Sequence, residues 1–328
     1  MKRRDVGIDF LMFVAVLMVV NSHLEDMYVG CFKPLATGGV LGDALFFFCS
    51  GYKLFLGRMD RFDNWYKRRI VRIYPSIIVW DVIAASVLPL PLTPLTLFDG
   101  WCPTGGYWFV KCIMVHYVAI YIIRKFFFDH LKLVMGIVWV AVLAWWGLCY
   151  SPRFAMAMFG SSKFEWLYLF IFMLLGAMLG MRNKEQMTGG SIRIYRGLTV
   201  SVLSVVSHYG FLAIVQRCPC LMPVRIAVLL PMVGVIYGLY LISRSSEIAV
   251  FMGTRLGQTV GFLGALCLEV YISSPYLQTS AYNHYFPLNI IGFFVAAFML
   301  AYVIRCISRF VIQILDKNSP YDYSAIFK

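Results

Sequence analysis

Residues 1–26 read MKRRDVGIDFLMFVAVLMVVNSHLED. A basic start followed by an apolar run has two readings, a cleaved signal peptide or a retained membrane helix. The run over 7–24 is long for the apolar region of a signal peptide, and no small-residue cleavage site is clear before His23-Leu24-Glu25-Asp26. The retained helix is therefore expected. That reading decides the fold, because runs of the same kind recur along the whole chain.

Of the 328 residues, 61% are hydrophobic and 14% charged, and the mean hydropathy is +0.76. A soluble fold of this length does not need so much apolar surface. Apolar runs of about 17–25 residues match the thickness of a bilayer core. Backbone polar groups in lipid must bond within their own segment, so these runs are expected to be helices. The alternating pattern of an outer-membrane barrel is absent. The expected fold is all-α, a polytopic transmembrane helical bundle of about ten spanning helices. The spans fall roughly at 7–24, 38–57, 70–91, 107–126, 131–150, 164–181, 197–216, 224–243, 259–277 and 286–308. The connections leave no room for a second soluble domain, so residues 1–328 are expected to form a single integral membrane domain. No internal repeat, low-complexity tract or long linker is present.

The net charge of +13 could suggest nucleic acid. Its distribution excludes that partner. With the N-terminus inside, 23 of the 29 basic residues face the cytoplasm, seven of them between Lys53 and Arg72. The outer loops hold only Lys33, Arg153, Lys163, Arg217 and Arg225, and Lys111 lies inside a span. This alternation is the positive-inside pattern. It supports both termini being cytoplasmic, and an integral protein of a bacterial cytoplasmic membrane is expected. The nine cysteines show no metal-ligand spacing, and no metal is expected. Cys218-Pro-Cys220 on the outer side is a weak signal for a disulfide or redox role; a membrane cysteine more often serves as a small apolar residue.

Ionisable groups inside a membrane are costly, so each asks for a reason. The first helix carries Asp9 near its start and His23 at its outer end, about 21 Å apart along a helix axis and roughly on one face. Glu25 and Asp26 could orient the imidazole and raise its basicity, or could be solvated loop acids. Arg68, Arg69 and Arg72 lie in RMDRFDNWYKRRIVRIYP, residues 58–75. Arg69 and Arg72 share a helix face, and guanidinium forks suit phosphate oxygens. The competing reading is a topogenic basic cluster beside a span. Other embedded polar groups are Asp43, Asp81, Lys111, His116, His208 and Glu269. They could act as charge partners in a site or simply pair with one another. Trp101, Tyr107, Trp108 and Trp166 read as interface anchors.

Several blocks together resemble the acyltransferase-3 family of membrane O-acyltransferases. They are Gly7-Ile8-Asp9 with a helix ending at His23, then GGVLGDALFFFCSGY at 38–52, Arg69-x-x-Arg72-Ile73-Tyr74-Pro75, Tyr107-Trp108-Phe109, and LEVYISSPYL at 268–277. Each is short, and their order and spacing along the chain carry the match. The resemblance implies transfer of an acyl group, often acetyl, from cytoplasmic acyl-CoA to a hydroxyl of an extracytoplasmic acceptor. That acceptor is commonly a surface polysaccharide or its lipid-linked glycan precursor. It also implies His23 as catalytic base and Arg69 and Arg72, beside Arg68, in acyl-CoA binding. Two positions depart from the family pattern. Met12 stands where a basic residue is common, and Ser274 where a late histidine is common. Lys111 is a candidate replacement for the missing positive charge. Two other readings stay open, a membrane glycosyltransferase using a lipid-phosphate sugar, which Glu25-Asp26 would allow, and a transporter or flippase, which would call for inverted repeats.

Overall fold

A computed structural model of the chain describes residues 5–87, 107–160, 162–185, 194–315 and 320–327, with the backbone alone for 183–185. Among the described residues all regular structure is helical. Fourteen α-helices run as α1 Val6–Asn21, α2 Gly39–Leu56, α3 Phe62–Val87, α4 Trp108–Phe126, α5 Leu131–Cys149, α6 Pro152–Met156 and α7 Lys163–Glu185. They continue as α8 Ile194–Arg217, α9 Leu229–Ser243, α10 Ser246–Gly253, α11 Arg255–Ala265, α12 Cys267–Ser273, α13 Leu288–Leu315 and α14 Tyr323–Phe327. The fold is an all-α polytopic bundle, as its hydropathy requires.

The number of spans differs from ten. Seven helical stretches are long and apolar enough to cross a bilayer, and eight if α11 with the residues Cys267–Leu277 counts as one broken span. The shortfall has two physical sources. Helix α1 has 16 residues, about 24 Å of rise against a core of about 30 Å. Helix α4 is long enough but carries Lys111, Arg124 and Lys125 in 19 residues. The span expected at 259–277 is interrupted at Leu266, where α11 ends and α12 begins. The third helix starts earlier than residue 70, at Phe62, so Arg68, Arg69 and Arg72 all lie within it. Residues 88–91 and Trp101 lie outside the described residues.

The described chain falls into two compact units, each built from separated stretches of sequence. The first comprises residues 1–15, 40–58 and 119–264, and the second 16–39, 59–118 and 265–328. In the first unit α8 packs along α9 and α5 along α7. Helices α2 and α7 approach so closely that side chains are excluded. A Cβ on Gly51 would sit 1.8 Å from the Met173 carbonyl oxygen, and one on Gly176 would sit 2.0 Å from that of Phe48. Gly51 of the second helix is thus explained by packing. At one end of this unit Lys53 Nζ meets Asp9 Oδ1 at 3.1 Å, and Arg244 and the Tyr52 hydroxyl both donate to Asp5 Oδ2. In the second unit α3, α12 and α13 form a mutually packed trio, and α14 folds back on α13.

Candidate functional site

The two strongest candidates from the sequence, His23 and the arginines of α3, both belong to the second unit. Helix α1 ends at Asn21, so His23 lies two residues beyond it, in a turn closed by His23 N–H donating to the Val20 carbonyl at 3.1 Å. Asn21 fixes the segment that follows. Its amide donates to the carbonyls of Leu35 and Thr37, at 2.7 and 3.1 Å, and its oxygen accepts from the Tyr28 hydroxyl at 2.7 Å. Leu24 and Met27 are buried beneath, while His23, Glu25 and Asp26 are exposed. The same segment is held from the far end of the sequence. Asn289, at the start of α13, donates to the Met27 carbonyl at 2.8 Å, and Asn283 donates to that of Asp26 at 2.8 Å. Tyr28 and Phe32 also lie against the Phe286 ring.

His23 is thus carried on a braced loop, while its own imidazole has no hydrogen-bond partner among the described residues. Partial desolvation holds its pKa below the ordinary 6.5. A neutral imidazole at neutral pH can accept a proton, as a general base must. Among the described residues no hydrogen bond joins it to Glu25, Asp26 or Lys111. The braces on this loop come through backbone carbonyls and Asn21, not through the two acids.

The arginines of α3 have distinct environments. Arg68 is ion-paired with Asp60 at 2.5 Å. Arg69 donates to the Trp65 carbonyl, and its guanidinium lies 3.7 Å from the centre of the fully buried Trp65 ring. Such a cation–π contact fixes a guanidinium plane. Arg72 is exposed. Tyr117 of α4 lies within electrostatic range of both Arg69 and Arg72, and its ring meets Trp65 edge-on at 6.3 Å.

Two arginines join this group that the sequence reading assigned only to topology. Arg305 of α13 lies within electrostatic range of Arg72, Arg309, Cys267 and Glu269. The signal available in the sequence was the i, i+4 spacing of Arg305 and Arg309 on one face of the last long helix. Glu269 is buried on α12 and accepts from the Ser76 hydroxyl at 2.8 Å, with the Ser308 hydroxyl 3.2 Å from that of Ser76. Ser274, where the resemblance expects a histidine, is buried immediately after α12.

Helix α13 acts as a ruler between the two ends. Asn289 touches the loop carrying His23, and Arg305, 16 residues further on, lies within electrostatic range of Arg72. At 1.5 Å per residue the separation along the axis is about 24 Å, most of a bilayer core.

The remaining candidates lie elsewhere. Asp9 is ion-paired to Lys53 and Met12 is buried, both in the first unit. Asp43, also there, has the buried Glu165 as an electrostatic neighbour, and the Tyr168 hydroxyl donates to Glu165 at 2.8 Å. Lys111 is half-buried near the start of α4. His116 sits with its Nδ1 3.8 Å from Cys112 Sγ. His208 is buried near the Phe159 ring. Tyr107, expected as an interface anchor, donates to Asp81 at 3.0 Å. Cys218 and Cys220 are exposed free thiols.

Among the described residues the bundle is thus all-α, with a histidine that makes no side-chain hydrogen bond and with arginines on α3 and α13. Residues 5–309 match the family model described as an acyltransferase domain. That match covers nearly the whole chain, and the protein belongs to the acyltransferase-3 family. No curated protein and no solved structure matches it.

Proposed function

We propose that the chain is a membrane O-acyltransferase that takes an acyl group, often acetyl, from cytoplasmic acyl-CoA. It delivers the group to a hydroxyl of an extracytoplasmic glycan or its lipid-linked precursor. The observation that carries this reading is the polar layout of the second unit. Guanidiniums suited to phosphate oxygens lie at one end, and the loop that carries His23 is held by Asn289, about 24 Å of α13 rise from Arg305. On the positive-inside reading the arginines face the cytoplasm, where acyl-CoA is found, and both termini share that side of a bacterial cytoplasmic membrane. An extended acyl-pantetheine arm, docked by its phosphates at Arg69 and Arg72, reaches toward His23.

In the transfer step His23 takes the proton from the acceptor hydroxyl as that oxygen attacks the thioester carbonyl. The carbon–sulfur bond then breaks, and the coenzyme A thiolate leaves and is protonated. An ester forms on the acceptor, and no acyl-enzyme is needed. Mass spectrometry of surface glycans from cells with and without the gene tests the reading. A mass difference of one ester group per modified sugar is expected. Identical glycans, together with a purified protein that turns over no acyl-CoA, would overturn it.

A further inference from the structure

Asp81 occupies a place in the second unit that membrane anchoring does not explain. It lies on α3, about 28 Å of rise from the start of that helix at Phe62. On the positive-inside reading this is the outward part of the helix. Its Oδ1 accepts from the Tyr107 hydroxyl at 3.0 Å, while its Oδ2 is buried with no hydrogen-bond partner among the described residues. A buried carboxylate oxygen without a donor is costly, the more so in a membrane helix. A tyrosine serving only as an interface anchor turns its hydroxyl to the headgroup level. Tyr107 turns its hydroxyl to Asp81 instead, which fixes the carboxylate and leaves one oxygen for a donor from outside the chain.

Aromatic rings gather at the same place. Trp80, next to Asp81 in the chain and itself buried, meets the Tyr276 ring edge-on at 5.2 Å. Its Nε1 is also buried without a partner among the described residues. Tyr271 lies 6.4 Å from the Tyr107 ring and 5.6 Å from that of Phe109. Tyr276 is 45% exposed, so this group of rings reaches the surface. Seven residues further along the chain Asn283 donates to the Asp26 carbonyl, in the loop that carries His23. Seven residues span at most about 25 Å, so the rings and that loop share one end of the unit.

A sugar ring offers groups that match both features. Its hydroxyls donate to a carboxylate oxygen, which has two lone pairs to receive them. Its C–H bonds carry slight positive charge and settle on the negative face of an aromatic ring. Binding sites commonly join aromatic walls to a few fixed polar groups in this way. A sugar bearing its own carboxylate would be repelled by Asp81.

We propose that Asp81 and the rings of Trp80, Tyr271 and Tyr276 bind a neutral, hydroxyl-rich sugar ring of the acceptor. The proposal rests on the glycan-acceptor reading above and names the class of sugar it takes. Asp81 and Tyr276 are binding residues, and Tyr107 is a positioning residue that acts through Asp81.

The test uses the purified full-length chain in lipid, acetyl-CoA as donor, and glycan extracted from cells lacking the gene as acceptor. Asp81→Asn keeps an oxygen for Tyr107 but loses the charge. It is expected to raise KM for the glycan about five- to tenfold, the difference between a charge-assisted and a neutral hydrogen bond. Tyr276→Ala should raise it about two- to tenfold, and Tyr276→Phe, which keeps the ring, should restore it. KM for acetyl-CoA should stay the same in all three. Mass spectrometry should show a neutral sugar next to or bearing the ester. Unchanged KM for the glycan in Asp81→Asn and Tyr276→Ala, or a fall in kcat alone, overturns the inference and leaves the acceptor reading standing. If Asp81→Asn does not fold, the Tyr276 variants decide, and equal loss in the alanine and phenylalanine variants overturns the inference. An ester found only among acidic sugars overturns it as well. No transfer to the glycan by the wild type refutes the acceptor reading and the inference together.

Discussion

Replacing His23 by alanine separates folding from catalysis, because the imidazole makes no hydrogen bond among the described residues and the residue is exposed. The loop is braced instead by Asn21, Asn283 and Asn289, which donate to backbone carbonyls. Removing the ring should therefore change stability by no more than about 0.5 kcal/mol, the usual range for a surface position without structural contacts. Transfer should fall about 10²–10⁴-fold, the usual worth of a general base, or about 3–5 kcal/mol of barrier. Coenzyme A binding should stay intact, since the loop carrying His23 is held at Asn289, about 24 Å of α13 rise from Arg305. The assay is acyl transfer by purified protein in lipid, run beside a coenzyme A titration and a thermal melt. His23→Gln keeps a hydrogen-bonding side chain without a useful base, and should fail as well.

The pH profile carries the same logic. The base-competent form is the neutral imidazole, and desolvation lowers its pKa below 6.5. Rate should therefore be flat at and above about pH 7 and fall as pH drops through the lowered pKa, where the ring becomes protonated. Near-normal glycan acylation by His23→Ala in cells would refute the assignment of the base, and would leave the family relationship as one of fold alone.

Further outcomes follow from the other parts of the molecule. Arg69→Ala or Arg72→Ala should weaken coenzyme A binding while the protein still inserts, with partial recovery by lysine; equal affinity in both alanine variants would reduce the α3 cluster to a topology signal. Gly51→Ala should lower the thermal midpoint in detergent, since its Cβ would sit 1.8 Å from the Met173 carbonyl oxygen; the overpacking costs about 1–3 kcal/mol, and an unshifted melt would show that α2 and α7 are not so close. A cysteine placed at the exposed Phe62, in a background without the exposed native cysteines, should resist an impermeant reagent added outside. Labelling from outside would reverse the proposed orientation.

Most of the fold's class was legible in the sequence because apolar run length is a local property that a bilayer selects directly. Helices α2, α5, α8 and α13 lie close to the spans expected from hydropathy alone. The short α1 and the charged α4 show where that signal weakens, since α1 ends at Asn21 after 16 residues and α4 carries Lys111, Arg124 and Lys125 in 19 residues. His23, Arg69 and Arg72 could be singled out because each sits in a short block of recognisable order, whatever the surroundings. What the sequence could not decide is which helix faces meet. In lipid the faces toward other helices and toward acyl chains are both apolar, so hydrophobic periodicity no longer marks the inside. Only the tertiary structure sets Glu269 against Ser76, brings Ser308 to Ser76, puts Glu165 within electrostatic range of Asp43, and makes Gly51 a point of backbone contact. Those pairings join residues far apart in the chain, and they are fixed by small-residue contacts and buried polar groups rather than by apolarity.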